Sequence, residues 1–235
     1  MADFYPISYS GLTLYEDCPY RFYRQKISKE KVKGSTVALE YGNKIHGMLE
    51  DYVRKNTPIP SEFPSVQSVA QAIDKIAALP NTTVEAERTI YLSKQREPLT
   101  GSSSYENFYS SYVNSKLDLT VLSGDTACIY DYKTGKSSGN KFQLDMQAAC
   151  LFAAEKNVTQ ITAKFIYIDQ RKVSDTFSYD RDSAWSREME ERFSNYEWGL
   201  KNSEFDRKQS YKCKFCPVLD CSFNKNENPM PPSGG

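Results

Sequence analysis

Residues 112–133 constrain the fold more than any other stretch of this chain. Tyr112–Leu122 places Leu117, Leu119 and Val121 on one face and Asp118 and Thr120 on the other, the two-residue period of a half-buried strand. Gly124-Asp125 is a tight-turn signal, and Ala127–Lys133 follows as the second strand of a hairpin. Thr83–Leu92 alternates in the same way, with Val84, Ala86, Ile90 and Leu92 against Glu85, Glu87 and Tyr91. Ile161–Ile168 and Val173–Tyr179 add two more strand signals, joined by a polar turn. A chain with these strands must build a sheet and cover it.

Helical patterns supply the cover. A helix is expected from Ser10, as N-cap, through Leu12, Leu14 and Tyr15, punctuated by Pro19, with Tyr20–Gln25 as a further turn. Ala38–Lys55 repeats Ile45, Leu49, Tyr52 and Val53 at helical spacing, and Val66–Leu79 does the same with Val69, Ala70, Ile73 and Ala77. Gln143–Lys156 and Asp182–Lys201 read as helices, the latter with Asp182 or Ser183 as N-cap. Gly101–Ser104 reads as a turn and Thr134–Asn140 as a Gly/Ser loop. The order of elements gives an α/β fold with a central mixed β-sheet flanked by helices. One domain is expected over residues 1–223, and the polar, Pro/Gly-rich residues 224–235 read as a disordered tail.

Composition narrows the function classes. The 30 Lys plus Arg balance 30 Asp plus Glu, which argues against a nonspecific polycation while leaving room for a local basic groove. Such a surplus occurs at Arg21, Arg24, Lys26, Lys29, Lys31 and Lys33, with Glu30 the only acid among them. It fits a solvated face or a phosphate-binding patch. The longest apolar runs, such as Phe165–Ile168, fall far short of the roughly 20 residues of a membrane span. Residues 1–10 lack the basic and apolar regions of a secretory signal, so an intracellular, soluble protein without a membrane partner is expected.

The strongest chemical constellation is Asp118 with Asp131-Tyr132-Lys133. Asp131 and Lys133 share a strand face, and the hairpin can set Asp118 opposite Asp131. Two carboxylates suit a hard cation such as Mg²⁺ or Mn²⁺, and a lysine beside it can orient water or stabilise phosphoryl charge. A surface ion pair fits the same spacing. His46, the sole histidine, lies one position from the apolar stripe of its helix; it is a core residue or an imidazole ligand. Glu50, one turn on, orients it or is solvated. Gln143 and Gln147 share a helix face and fit hydrogen bonding to water or phosphate, or simple capping and solvation.

The cysteines form a second constellation. Cys213-x2-Cys216-x4-Cys221 packs three thiols into nine residues, a loop that suits zinc or an iron–sulfur cluster, and Cys18, before Pro19, is the natural fourth ligand. Cys128 and Cys150 sit among apolar neighbours and read as core thiols.

Taken in order, these residues resemble the PD-(D/E)XK nuclease superfamily in its RecB-like iron–sulfur branch, near the CRISPR-associated Cas-four nucleases and related phage exonucleases. The matching pieces are Ser8-Tyr9-Ser10 with Cys18-Pro19-Tyr20-Arg21-Phe22, Gly42-x3-His46-x3-Glu50, Lys116-Leu117-Asp118, Asp131-Tyr132-Lys133-Thr134-Gly135-Lys136, Gln143-Leu144 with Gln147-Ala148, and the cysteine triad. The chain departs from the pattern at Ser115, where glycine is common, at Gln147, where tyrosine is frequent, and in the x4 spacing, where x5 is more usual.

The resemblance implies a restriction-endonuclease-like core and a cytoplasmic Mg²⁺- or Mn²⁺-dependent deoxyribonuclease, an exonuclease acting on single-stranded DNA or free DNA ends in a bacterial or phage-infected cell. His46, Asp118, Asp131 and the Tyr132 carbonyl would hold the metal. Lys133 would activate water and Gln143 would help place it. Cys18, Cys213, Cys216 and Cys221 would ligate a [4Fe-4S] cluster, or zinc, joining the two chain ends. Tyr20, Arg21 and Arg24 would hold DNA by stacking and phosphate contacts. The competing class is a non-catalytic DNA-binding module with a structural zinc or iron–sulfur site.

Overall fold

The computed structural model describes residues 4–30, 37–136 and 139–225. Lys31, Lys33 and most of the expected tail lie outside the described residues. Within the span read as one domain, two compact units form: residues 36–189, and residues 1–35 together with 190–235.

In chain order the elements are α1 (Tyr9–Asp17), α2 (Pro19–Phe22) with a π-helical turn over Tyr23–Ile27, α3 (Val37–Lys55), α4 (Pro64–Ala77), β1 (Thr82–Leu92), α5 (Ser104–Ser110), β2 (Val113–Ser123), β3 (Thr126–Lys133), α6 (Lys141–Ala154), β4 (Gln160–Tyr167), β5 (Lys172–Val173), β6 (Phe177–Asp180) and α7 (Arg187–Lys201).

The unit of residues 36–189 is built on a six-stranded mixed sheet. Strands β1, β2 and β3 form an antiparallel meander, with Gly124 at φ +60° in the β2–β3 turn. Strand β4 pairs parallel to β3, which requires a crossover, and α6 supplies it. Strands β5 and β6 run antiparallel to β4. One sheet face, carrying Ala86, Leu119, Val121 and Tyr132, packs with Ile45 and Leu49 of α3 and Val66, Ala70 and Ile73 of α4. Alternation puts Asp131 on the opposite face, where its carboxylate meets α6. Helix α6 is buried along nearly its whole length, from Phe142 through Ala153, as expected of a helix that is apolar on most sides.

Local chemistry shifted several expected boundaries. The helix expected from Asp182 begins at Arg187; Ser186 Oγ accepts the Met189 N–H at 3.2 Å, while Ser183 belongs to a turn held by Asp180. The strand expected over Val173–Tyr179 is split, because Ser174 Oγ accepts the Phe165 N–H at 2.9 Å in place of a backbone carbonyl. Ser103-x2-Glu106 opens the unexpected helix α5, with Ser103 Oγ accepting the Glu106 N–H at 3.1 Å.

The other unit joins the first and last segments. Ser8, not Ser10, caps α1, its Oγ accepting the Gly11 N–H at 3.1 Å. Pro19 occupies the first turn of α2, where its missing N–H costs nothing. Tyr5, Tyr15, Phe22 and Tyr196 form an edge-to-face cluster with centroids 5.2–5.6 Å apart. Gly199 is required there, since a Cβ would lie 1.8 Å from the Tyr15 hydroxyl. Arg192 donates to both carboxylate oxygens of Glu16, at 2.8 and 2.6 Å.

Candidate active site

The β2–β3 ladder runs from Ser123↔Thr126 to Leu119↔Tyr130; one more step would set Asp118 opposite Asp131. The ladder stops there because a side chain replaces the backbone. Asp118 Oδ2 accepts the Tyr132 N–H at 2.7 Å. That bond fixes one carboxylate oxygen and leaves Oδ1 to face His46 Nδ1 at 3.2 Å. Helix α3 presents His46 because Ile45 and Leu49, on the buried stripe, anchor the helix to the sheet. The imidazole also meets the Tyr132 ring edge-on, with centroids 5.7 Å apart.

Asp131 is buried and densely held. Its Oδ1 accepts from Gln143 Nε2 at 2.5 Å and from Gln147 Nε2 at 3.0 Å, and its Oδ2 pairs with Lys133 Nζ at 2.5 Å. Lys133 Nζ donates in turn to Gln143 Oε1 at 2.8 Å. Gln143 thus bridges the carboxylate and the ammonium. Gln147 is buried and also donates to the Lys116 carbonyl at 3.2 Å. Burial, and then the charge of Asp118, push the Asp131 carboxyl up to about 6, against the opposing pull of Lys133 and Gln147. For His46, burial disfavours the imidazolium, yet the carboxylates of Asp118 and Glu87 outweigh it and raise the imidazole to about 10.

Glu87 is the residue that sequence reasoning missed. His46, Glu87 and Asp118 bring one donor atom each within 4.8 Å of one another, the one such group among the described residues. Glu87 Oε1 lies 3.6 Å from His46 Nδ1, its Oε2 pairs with Lys116, and its side chain is 5% exposed. Burial raises its carboxyl, but His46 and Lys116 bring it below the usual carboxylate range. In the strand pattern Glu87 simply matched Glu85 on the polar face; no local signal marked it. One imidazole nitrogen beside carboxylate oxygens, held by hydrogen bonds from outside the group, is a donor set that fits Mg²⁺ or Mn²⁺.

Cys18, Cys213, Cys216 and Cys221 belong to the unit of residues 1–35 and 190–235, and all four line one small pocket with Arg21, Lys208 and Lys212. No three of these sulfurs lie within 4.8 Å of one another. The Ser210 N–H donates to Cys213 Sγ at 3.4 Å. Burial pushes the Cys216 thiol up, opposed by the Val218 backbone and Arg21 and reinforced by Cys18 and Cys221. Cys150 is buried in α6, where burial raises it to about 12. The expected DNA-contact residues lie beside this pocket. Arg24 is engaged by Glu30, by both oxygens of Asp220 at 3.0 and 3.1 Å, and by the Tyr20 hydroxyl at 2.7 Å. Arg207 stacks on the Tyr20 ring at 4.8 Å. None of the helices among the described residues is long and apolar enough to cross a membrane.

No curated protein matches the chain. Solved structures similar to it include a presumed exonuclease from Eubacterium rectale, 10% identical over 96% of this chain and 89% of that one, with a TM-score of 0.48. An alkaline exonuclease from Laribacter hongkongensis is 13% identical over 74% of this chain and 84% of that one, with a TM-score of 0.33. The sequence profile of the PD-(D/E)XK nuclease superfamily matches residues 6–221, through the helix of His46, the Asp118–Asp131–Lys133 hairpin and the cysteine loop. This chain belongs to the PD-(D/E)XK nuclease superfamily.

Proposed function

We propose that this protein is a divalent-metal-dependent deoxyribonuclease that hydrolyses phosphodiester bonds from DNA ends. The observation that carries the reading is His46 Nδ1 set 3.2 Å from Asp118 Oδ1, with the Asp131–Lys133 pair on the adjacent strand, in a nuclease-superfamily chain. His46, Asp118, Asp131 and the Tyr132 carbonyl are the residues to hold Mg²⁺ or Mn²⁺. When bound, the ion supplies positive charge for the scissile phosphate and the leaving oxygen. Lys133 orients the attacking water and meets charge developing on the phosphoryl oxygen. Gln143 fixes Lys133 relative to Asp131, and the Tyr132 N–H fixes Asp118.

In the same reading, the cysteine quartet holds a [4Fe-4S] cluster. Supporting it are the shared pocket and the basic residues that offset thiolate charge. Tyr20, Arg21 and Arg24 contact the DNA; a phosphate at Arg24 must compete with Asp220 and Glu30. Processing of DNA ends in phage recombination or in CRISPR adaptation is the setting. One anaerobic preparation tests both halves. Expected are iron content near cluster stoichiometry and degradation of end-bearing DNA in Mn²⁺ that EDTA stops. Metal-independent or absent cleavage overturns the enzyme reading, and zinc in place of iron overturns the cluster.

A further inference from the structure

Glu87 sits in the middle of β1 with φ +52°, in the left-handed region that side chains with a Cβ avoid. The pairing of β1 with β2 keeps the same register on both sides of it, from Ala86↔Leu119 to Arg88↔Leu117. No residue is inserted, so this is a turned-over residue and not a bulge. A glutamate in that conformation persists only where its surroundings hold it. Arg54 does so. Its Nε and Nη2 donate to the Ala86 carbonyl at 3.1 and 2.7 Å, and Nη2 also donates to the Glu87 carbonyl at 3.2 Å. Successive carbonyls of a regular strand point to opposite edges, so one guanidinium can take both only where the strand turns over.

We propose that Glu87 is a further ligand of the metal site and that Arg54 is the positioning residue that aims it there; this rests on the metal-dependent reading above. Arg54 and His46 stand two turns apart on one face of α3, with Glu50 between them, and Glu50 Oε1 holds Arg54 Nη1 at 2.9 Å. One helix face therefore delivers the imidazole and, through the strand it grips, a carboxylate 3.6 Å from it. Lys116, 61% exposed, neutralises Glu87 Oε2 from the solvent side and is the cation a bound metal replaces.

The test is Mn²⁺ binding by calorimetry on the full chain, as a double-mutant cycle of Arg54→Ala and Glu87→Gln. Each single variant is expected to weaken Mn²⁺ binding about tenfold or more, the usual cost of losing a ligand's outer support. In the Glu87→Gln background, Arg54→Ala is expected to add less than about twofold. Arg54→Lys, which keeps the charge but not the forked donor, should weaken binding in the same sense and serves if the alanine variant does not fold. Unchanged affinity in the single variants, or equal losses from Arg54 replacement in both backgrounds, overturns the proposal alone. Absence of Mn²⁺ binding by the wild-type chain overturns the metal reading and the proposal with it.

Discussion

The two units hold their chemical groups in different ways. In residues 36–189 the site rests on one continuous stretch of chain, with Asp118 and Asp131 on adjacent strands and a buried helix donating two glutamines to Asp131. In residues 1–35 with 190–235, the cysteines come from segments separated by some 150 residues, and short helices and an aromatic cluster hold them. The first arrangement is preorganised by hydrogen bonds already made. The second brings distant segments together, and closing a loop of that length costs about 5 kcal/mol of chain entropy, which a cross-link offsets. On the reading proposed above, a metal in the first site would serve chemistry, whereas one in the second would serve the fold.

Substitutions that separate chemistry from stability test this contrast. The largest effect is expected from Asp131→Ala: loss of DNA cleavage on the order of 10³-fold, with circular dichroism and cluster absorbance unchanged. Near-normal cleavage by the folded variant would remove Asp131 from the active site. Cys18→Ala should invert the pattern, lowering unfolding free energy by roughly 3 kcal/mol and releasing bound iron, read by denaturant melts and metal analysis. Full metal retention by that variant would break the comparison.

Lys133→Ala should slow turnover about 10²-fold while Mn²⁺ affinity by calorimetry stays within about twofold, since an ammonium ligates no cation. A smaller effect concerns pH. His46, raised to about 10, carries a proton at neutral pH and must lose it to ligate. Mn²⁺ affinity should therefore rise about tenfold per pH unit between roughly pH 7 and 9, with one proton released per ion, as read by calorimetry in buffers of different ionisation enthalpy. A flat profile would mean that His46 is not a ligand.

Much of the unit of residues 36–189 was legible in the chain because its signals are local. Period-two alternation and Gly124-Asp125 marked the hairpin, and alternation put Asp131 and Lys133 on one face. Helical spacing marked α3 and placed His46 beside its buried stripe. The capping pattern Ser103-x2-Glu106 is equally local, yet the Gly101–Ser104 stretch reads as a turn, and α5 was not expected. The split between β5 and β6 left no such mark, because Ser174 stands in for a backbone group only once Phe165 is beside it.

By itself, the sequence determined the donor types, the strand and helix that carry them, and the spacing of the cysteine triad, since each depends on residues within a few turns of chain. Tertiary structure alone decided the rest. Glu87 joins His46 and Asp118 because Arg54, 33 positions earlier, holds its backbone in the left-handed region. Gln143 and Gln147 converge on one carboxylate oxygen only after α6 has crossed over to the sheet. Arg24, a free cation in the linear pattern, is claimed by Asp220 from 196 positions away. Periodicity reports which way a side chain leaves its own element. It carries no information on what waits across a gap closed by the rest of the fold.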